Sequence, residues 1–350
     1  MRIAVDVSRL NKDNLEKHKV RGSGEYIEGL TSYLPKYDKD NSYVFVSGGE
    51  TPKDVDLVHY PYFEPFFLSL PQKSRIPSVV TVHDLIPLVF PKQFPAGIKG
   101  KIKWSIQKAS LRRKNRIITD SNASKTDIET KAGIPSSRIS VVYLAPSEAF
   151  KKEPDKKDIR KKYNLPENFL LYVGDATWNK NLIRLAEAVK RTDFKLVMVG
   201  KALVGNEVEP NNKWNKELIG FKKITKGDNR FVQLGLVSSE DLNALYNIAS
   251  SLIMPSLYEG FGLPIVEAMV CGCPVISSKE GSLGEIAGNA AHSIDPYSVD
   301  SIEKGIREVL GDRALREKLS NDGLDHSKNF SWKKTVSSTV SAYKLALKNE

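Results

Sequence analysis

The chain has 350 residues, 40% of them hydrophobic, two cysteines and a formal charge of +11. This length and apolar content exclude a disordered or fibrous chain and suggest about two domains. The basic balance favours an anionic partner, with nucleotide phosphates, nucleic acid and acidic membrane surfaces as the candidates. In chain order, "IAVDVS", "YVFVS", "SVVTV" and "RIIT" read as strands, followed by "FLLYVG", "FKLVMVG", "RFVQLG", "SSLIMPS" and "CPVIS". Runs that are apolar at consecutive positions belong to strands covered on both faces, so they predict parallel sheets with helices between them, the doubly wound α/β class.

The segment "APSEAFKKEPDKKDIRKKYNLPEN" interrupts this rhythm with proline and dense charge. It predicts one domain over residues 1–150, a linker over 151–167 and a second domain over 168–328. In the tail, residues 329–350, Ser331 suits an N-cap, and Val336, Val340, Tyr343 and Leu347 fall at helical spacing. Asp6 interrupts the first apolar run, and no stretch reaches the roughly 18 apolar residues of a membrane span, which predicts a soluble or peripheral protein. Cys271 and Cys273 are too close in sequence for easy disulfide geometry, which points to a reducing cytoplasm.

The segment "SLYEGFGLPIVEAM" carries the densest chemistry. An apolar strand leads to Glu259, then Gly260, Phe261, Gly262 and Leu263 form a turn whose glycines let backbone approach a ligand. Pro264 fits the first turn of a helix, and the free N–H groups there make a seat for an anion. Glu267, on the first turns of that helix, is placed to accept from vicinal hydroxyls.

"EGFGLPIVEAMVCGCPVI" resembles the Glu-x7-Glu signature of retaining glycosyltransferases of family 4, in the GT-B superfamily. "RGSGEYIEGL", "TVHDLIPLVFP", "RIITDSNASKTDI", "YVGDATWNKNLIRLAEAV" and the "FSW" tail follow in the family's order, so the resemblance covers essentially the whole chain. It implies two Rossmann-like domains facing across a cleft, with the terminal helix crossing back onto the first. It also implies transfer of a hexose from a nucleotide-sugar donor to a glycan or lipid-linked glycan, with retention, no bound metal and no cofactor. On that pattern Glu259 contacts donor-sugar hydroxyls, Glu267 the ribose, and residues 260–263 offer backbone groups to sugar and diphosphate.

Lys180 of "NKN" matches the family lysine that meets the diphosphate, where a fixed cation stabilises the leaving group. Many relatives have arginine just before it, where this chain has Asn179, a residue the resemblance places on the donor-binding side of the site; Lys201 is a candidate second cation. Gly22, Ser23 and Gly24 resemble the glycine loop that closes over donor phosphates. They follow strand "IAVDVS" by 13 residues and lack a third glycine, which argues against a nicotinamide site. His83, at a strand's carboxyl end with Asp84 beside it, matches a family histidine near the reacting sugar. His59 has a similar setting and reads as structural. The "GD...NKN" form resembles a branch containing bacterial surface-polysaccharide mannosyltransferases, which makes GDP-mannose the expected donor.

Residues 98–116 hold eight basic residues and no acid. Ile98, Ile102, Ile106 and Ala109 fall at helical spacing and are expected to pack inward, with the cations outside. Such a helix is a solvated face or an attachment to anionic lipid, at the inner face of the plasma membrane. "DVD" at 54–56 imitates a metal motif but precedes a strand, so no metal is expected there. A nucleic-acid-binding protein is the rival class, without a zinc-finger spacing or RNA-binding aromatic signature to support it. Residues 1–150 hold 23 basic and 16 acidic residues, +7, leaving +4 of the +11 for the rest, so neither half is strongly basic. A nucleotide-sugar epimerase of the same superfamily is the second rival.

Overall fold

Every strand pairing in the computed structural model is parallel among the described residues, which are 1–10, 22–47, 52–72, 75–154, 157–204, 209 and 212–348. The chain divides into two units, Met1–Ala145 with Phe330–Glu350, and Pro146–Asn329. The first unit holds β1 (Arg2–Asp6), β2 (Ser42–Val46), β3 (Leu57–Tyr60), β4 (Ser78–Thr81), β5 (Arg116–Thr119) and β6 (Ile139–Val141), in the order β2-β1-β3-β4-β5-β6. The second holds β7 (Phe169–Val173), β8 (Lys195–Val199), β9 (Phe231–Gly235), β10 (Ser251–Met254), β11 (Val275–Ser277) and β12 (His292–Ser293), in the order β12-β11-β10-β7-β8-β9. β4, β5 and β10 are buried along their whole length, as uninterrupted apolar runs require when helices cover both faces.

Parallel pairing sends all carboxyl ends of a sheet to one edge. In the second unit the first strand, β7, lies centrally, and the strand order reverses between it and β10. In open α/β sheets that reversal opens a crevice outside the carboxyl ends, where ligands bind.

Helix α1 (Gly22–Tyr37) begins with Gly22, Ser23 and Gly24, so the expected glycine loop is the first turn of a helix. Helix α2 (Gly97–Arg112) corrects the expected packing of the basic stretch. Its buried positions are Gly100, Gln107, Ser110 and Leu111, while Ile98 and Ile102 are 80% and 57% exposed. Polar ties set this orientation: Gln107 donates to the Glu64 carbonyl at 3.1 Å and to Ser69 Oγ at 2.6 Å. A Cβ at the buried Gly100 would lie 2.9 Å from the Ala96 Cβ, so this position takes glycine. Residues 151–154 and 157–167 of the expected linker lie in the second unit, with the Lys151 and Glu153 N–H groups donating to the side chains of Asn243 and Asn247 at 2.9 and 2.7 Å.

The terminal helix (Trp332–Lys348) packs on the first unit and buries Val336, Val340 and Tyr343, with Leu347 half-buried. It crosses α1 where Gly29 leaves room for the Trp332 ring; a Cβ there would lie 2.1 Å from that ring. Tyr343 bonds His59 Nδ1 at 2.8 Å, and His59 Nε2 bonds Thr81 Oγ1 at 2.8 Å. His59 is therefore a core residue joining β3, β4 and the terminal helix.

Burial and the nearby His83 push the His59 pKa down to about 3, below an unfolded value of about 6.5. The unfolded chain thus binds an extra proton between those values, so this stabilisation is full above about pH 6.5 and is lost as pH falls towards 3. In thermal melts from pH 7 to pH 4.5, His59→Gln should show a shallower fall in Tm than the wild type. Parallel curves would show that His59 carries no such proton linkage.

Candidate functional site

The β7–β10 switch point is built by two loops stitched together. After β7, Asn179 donates to the Tyr258 carbonyl at 3.0 Å, accepts from Thr177 Oγ1 at 2.8 Å, and its own carbonyl receives the Leu257 N–H at 2.7 Å. Asn181 donates to the carbonyls of Pro255 at 3.0 Å and Pro296 at 2.7 Å, from a left-handed backbone with φ +59°. The asparagines on either side of Lys180 thus pin its loop to the exit of β10. Asn179 is spent on this tie and is buried, so it is not a substitute for a ligand-facing cation.

Lys180 Nζ meets Glu259 Oε1 and Oε2 at 2.7 and 2.8 Å. Both side chains are largely buried, and each neutralises the other. A third loop holds the glutamate's backbone: Ser282 donates to the Glu259 carbonyl through its N–H at 3.2 Å and its Oγ at 3.0 Å, and to the Phe261 carbonyl at 2.8 Å. Gly281 has φ +60°, and a Cβ there would come within 2.8 and 2.9 Å of the Glu259 carbonyl oxygen and nitrogen. Only glycine fits such a backbone at such a distance. Gly281 and Ser282 were missed from sequence; the signal was a glycine–serine pair just past a predicted strand.

Helix α3 (Leu182–Lys190) follows the Lys180 loop and α4 (Ser239–Ile248) precedes β10. Helix α5 (Leu263–Val270) follows the Glu259 turn, entered through Gly262 at φ +98° with Pro264 in its first turn. Gly260, Phe261 and Gly262 are buried and Leu263 is half-buried. Glu267 is buried in α5, and its Oε2 accepts from Tyr246 of α4 at 2.8 Å. Burial and the Glu267 charge hold the Tyr246 hydroxyl well above its ordinary pKa, so it remains a donor. Lys201 is exposed just beyond β8, at the same carboxyl edge of the sheet.

In the first unit, His83 lies two residues past β4, and its Nδ1 is 2.7 Å from Asp120 Oδ2, just past β5. Burial alone would lower the His83 pKa, but the charge and hydrogen bond of Asp120, with Asp84 and the Pro61 carbonyl, outweigh it and raise the value. His83 Nε2 has no well-formed hydrogen bond within the chain. The pair holds the ring by one nitrogen, and the other nitrogen is buried. Asp120 was missed from sequence, where it was one more polar residue after a strand. Asp84 Oδ1 accepts the Ile86 N–H at 2.9 Å, which fixes the following turn. Gly22 and Ser23, at the start of α1, and buried Gly24 belong to this unit as well.

Asp54 of the "DVD" segment pairs with the Arg2 side chain, and Asp56 accepts the Arg2 N–H at 2.7 Å. Among the described residues no group of three or more His, Cys, Asp and Glu side chains is arranged to hold a metal ion. Cys271 and Cys273 are free and buried; burial pushes both thiols up, that of Cys273 to about 12. Among the described residues no helix is long and apolar enough to cross a membrane.

A family model described as Glycosyl transferases group 1 matches residues 155–326, and one described as Glycosyltransferase Family 4 matches residues 46–145. O-antigen chain mannosyltransferase B of Escherichia coli is 32% identical over 301 residues, 83% of this chain and 75% of that one. MMP alpha-(1->4)-mannosyltransferase of Mycolicibacterium hassiacum is 29% identical over 315 residues, 84% of this chain and 71% of that one. Serotype-specific mannosyltransferase WbdA of Escherichia coli is 25% identical over 283 residues, 78% of this chain but 34% of its own length. Among solved structures, sucrose-phosphate synthase of Thermosynechococcus elongatus matches with a TM-score of 0.75 at 18% identity over all of both chains. Anabaena HepE, solved in complex with UDP and glucose, matches with a TM-score of 0.73 at 17% identity, over 98% of this chain and 99% of that one. These structural likenesses show the two-domain fold.

Removing one partner of a buried ion pair strands the other, at a cost of about 3–5 kcal/mol. Lys180→Met and Glu259→Gln should each lower the urea midpoint, and the double variant should lose clearly less than the sum of the two. Additive losses would mean the charges are not coupled. Gly281→Ala should destabilise the fold by at least about 1–2 kcal/mol, the cost of a left-handed backbone alone; an unchanged midpoint would show that this loop relaxes freely.

Proposed function

The chain belongs to glycosyltransferase family 4, and from that premise we propose that it transfers a hexose, mannose in particular, from a nucleotide diphosphate sugar to a hydroxyl of a glycan, free or lipid-linked. The reading includes retention of anomeric configuration and a role in cell-surface polysaccharide assembly. The observation that carries it is the Lys180–Glu259 pair at the β7–β10 switch point, four residues before α5. The names of its relatives, two of them O-antigen chain mannosyltransferases, support the choice of sugar. The free, buried thiols fit a cytoplasmic setting.

The chemistry follows from charge. As the bond from the anomeric carbon to the diphosphate oxygen breaks and one to the acceptor oxygen forms, negative charge grows on the departing nucleotide, whose diphosphate oxygen takes the proton that the acceptor hydroxyl gives up. The dipole of α5 supplies about 0.3–1 kcal/mol, or ~2 in a partly buried site. Rate enhancement calls for roughly 8 kcal/mol or more, so a fixed cation is needed beside it. Lys180 is that cation. In the resting chain it neutralises Glu259; an arriving diphosphate competes for the ammonium and leaves the carboxylate to accept from sugar hydroxyls. Glu267, oriented by Tyr246, takes the ribose hydroxyls. Residues 260–263 bring backbone to the sugar and diphosphate, and Gly22, Ser23 and Gly24 add an N-terminal helical turn for phosphate. Asp120 positions His83, whose Nε2 bonds the donor sugar or the acceptor. In this scheme Lys180 and helix N–H groups carry the charge that a metal ion carries elsewhere, so no metal or cofactor is invoked.

Thermal-shift measurements with GDP-, UDP-, ADP- and dTDP-sugars in the presence of EDTA test this reading. GDP-mannose should raise Tm selectively, since a ligand at 100 times its Kd adds about 2.7 kcal/mol to stability. Lys180→Ala should lower kcat/KM for glycoside formation by about 3 kcal/mol, by analogy with a lost oxyanion donor. No shift with any nucleotide sugar, products of hydrolysis or epimerisation alone, or near-wild-type turnover of the variant would overturn it.

A further inference from the structure

The four most exposed large apolar side chains among the described residues are Ile98 at 80%, Phe67 and Leu68 at 58% each, and Ile102 at 57%. All four belong to α2 and the turn that packs on it. Lys103 sits over the Phe67 ring at 5.3 Å, which places the turn alongside the helix. The Gln107 amide fixes this arrangement by bonding the turn at both Glu64 and Ser69.

At about 100° per residue, Ile98 and Ile102 lie on one stripe, nearly opposite Gly100 and Gln107, which face the protein. Lys99 and Lys103 border the stripe on one side and Lys101 on the other. Lys99 and Lys101 are exposed, and no acidic residue occurs on the helix. An outward apolar stripe between rows of cations is the pattern of a helix lying in the plane of a membrane interface. Nucleic acid would use the cations but gains little from exposed isoleucines, since its contacts are to phosphates, base edges and stacking rings.

Topology adds a second constraint. Helix α2 connects β4 to the parallel strand β5, so it runs back along the sheet and starts near the carboxyl edge. The turn bearing Phe67 and Leu68 follows the carboxyl end of β3. His83, just past β4, lies at that same edge.

We propose that the first unit docks on an anionic lipid surface through the Ile98–Ile102 stripe and the Phe67–Leu68 turn, with the α2 lysines meeting lipid phosphates. Docking in this way would bring the bilayer against the His83 edge, where a lipid-borne acceptor can arrive without leaving the membrane. The proposal stands on exposure, charge and topology, and does not depend on which sugar is transferred.

Flotation of the full chain with vesicles tests it, comparing phosphatidylcholine alone with a roughly equal mixture of phosphatidylcholine and phosphatidylglycerol. The wild type should float with the anionic vesicles only. Ile98→Ser/Ile102→Ser should weaken that partition by about tenfold or more, at unchanged Tm because both residues are exposed. Lys99→Gln/Lys101→Gln should weaken it roughly fivefold per lysine at low salt. The proposal is overturned if the wild type partitions equally to both vesicles, or if the isoleucine pair can be replaced without effect. Salt-sensitive binding to a random DNA or RNA duplex with no flotation would reassign the surface to nucleic acid.

Discussion

A carboxylate closed off from water needs a cation, and among the described residues Glu259 has Lys180, which reaches both of its oxygens. The surrounding loops make this contact unavoidable. Asn179 and Asn181 fasten the lysine's loop to the exit of β10, and Ser282 fastens the glutamate's turn from the other side. Without the partner, either charge would carry a desolvation penalty of several kcal/mol. The pair therefore sets a matched cation and acid at the β7–β10 switch point, which on the proposed reading a diphosphate sugar would separate.

That crevice exists because the sheets are parallel. In an antiparallel sheet, successive loops alternate between two edges and the residues after β7, β10 and β11 would be divided between them. With parallel strands and the order reversing at β7, three loops distant in sequence converge on one edge. Asn179, Glu259 and Ser282 meet there for topological reasons before any hydrogen bond forms.

Much of this was legible in the sequence, and the parts that were not share a physical cause. The buried strands announced themselves as continuous apolar runs, whereas β6 and β12, with three and two residues, are too short to make a pattern. The Glu259 turn and Lys180 stand out in the sequence because their motifs are local. Asp120, Gly281 and Ser282 escaped because their roles arise only through partners far along the chain. Helix α2 shows the opposite failure. Its isoleucine spacing is a sound amphipathic pattern, but the rule that apolar residues point inward gives way when Gln107 can make three polar contacts with a neighbouring turn. The stripe then faces water, and it needs another partner.

His59 and His83 show how much a displacement of three residues relative to a strand end decides. His59 is inside β3, in register with Val5 and Val79, so its ring is enclosed by the sheet and the terminal helix. Both its nitrogens meet hydroxyls, which a neutral ring satisfies by donating to one and accepting from the other. Burial then holds it uncharged. His83 is past the end of β4, where the chain has left the ladder, and it meets a carboxylate in place of hydroxyls. That contact favours the charged ring against the pull of burial. Since the His83 charge itself disfavours a proton on His59, the two rings divide the labour. The neutral ring anchors the terminal helix through Tyr343, and the Asp120 contact favours the proton on the other ring, at the strand edge.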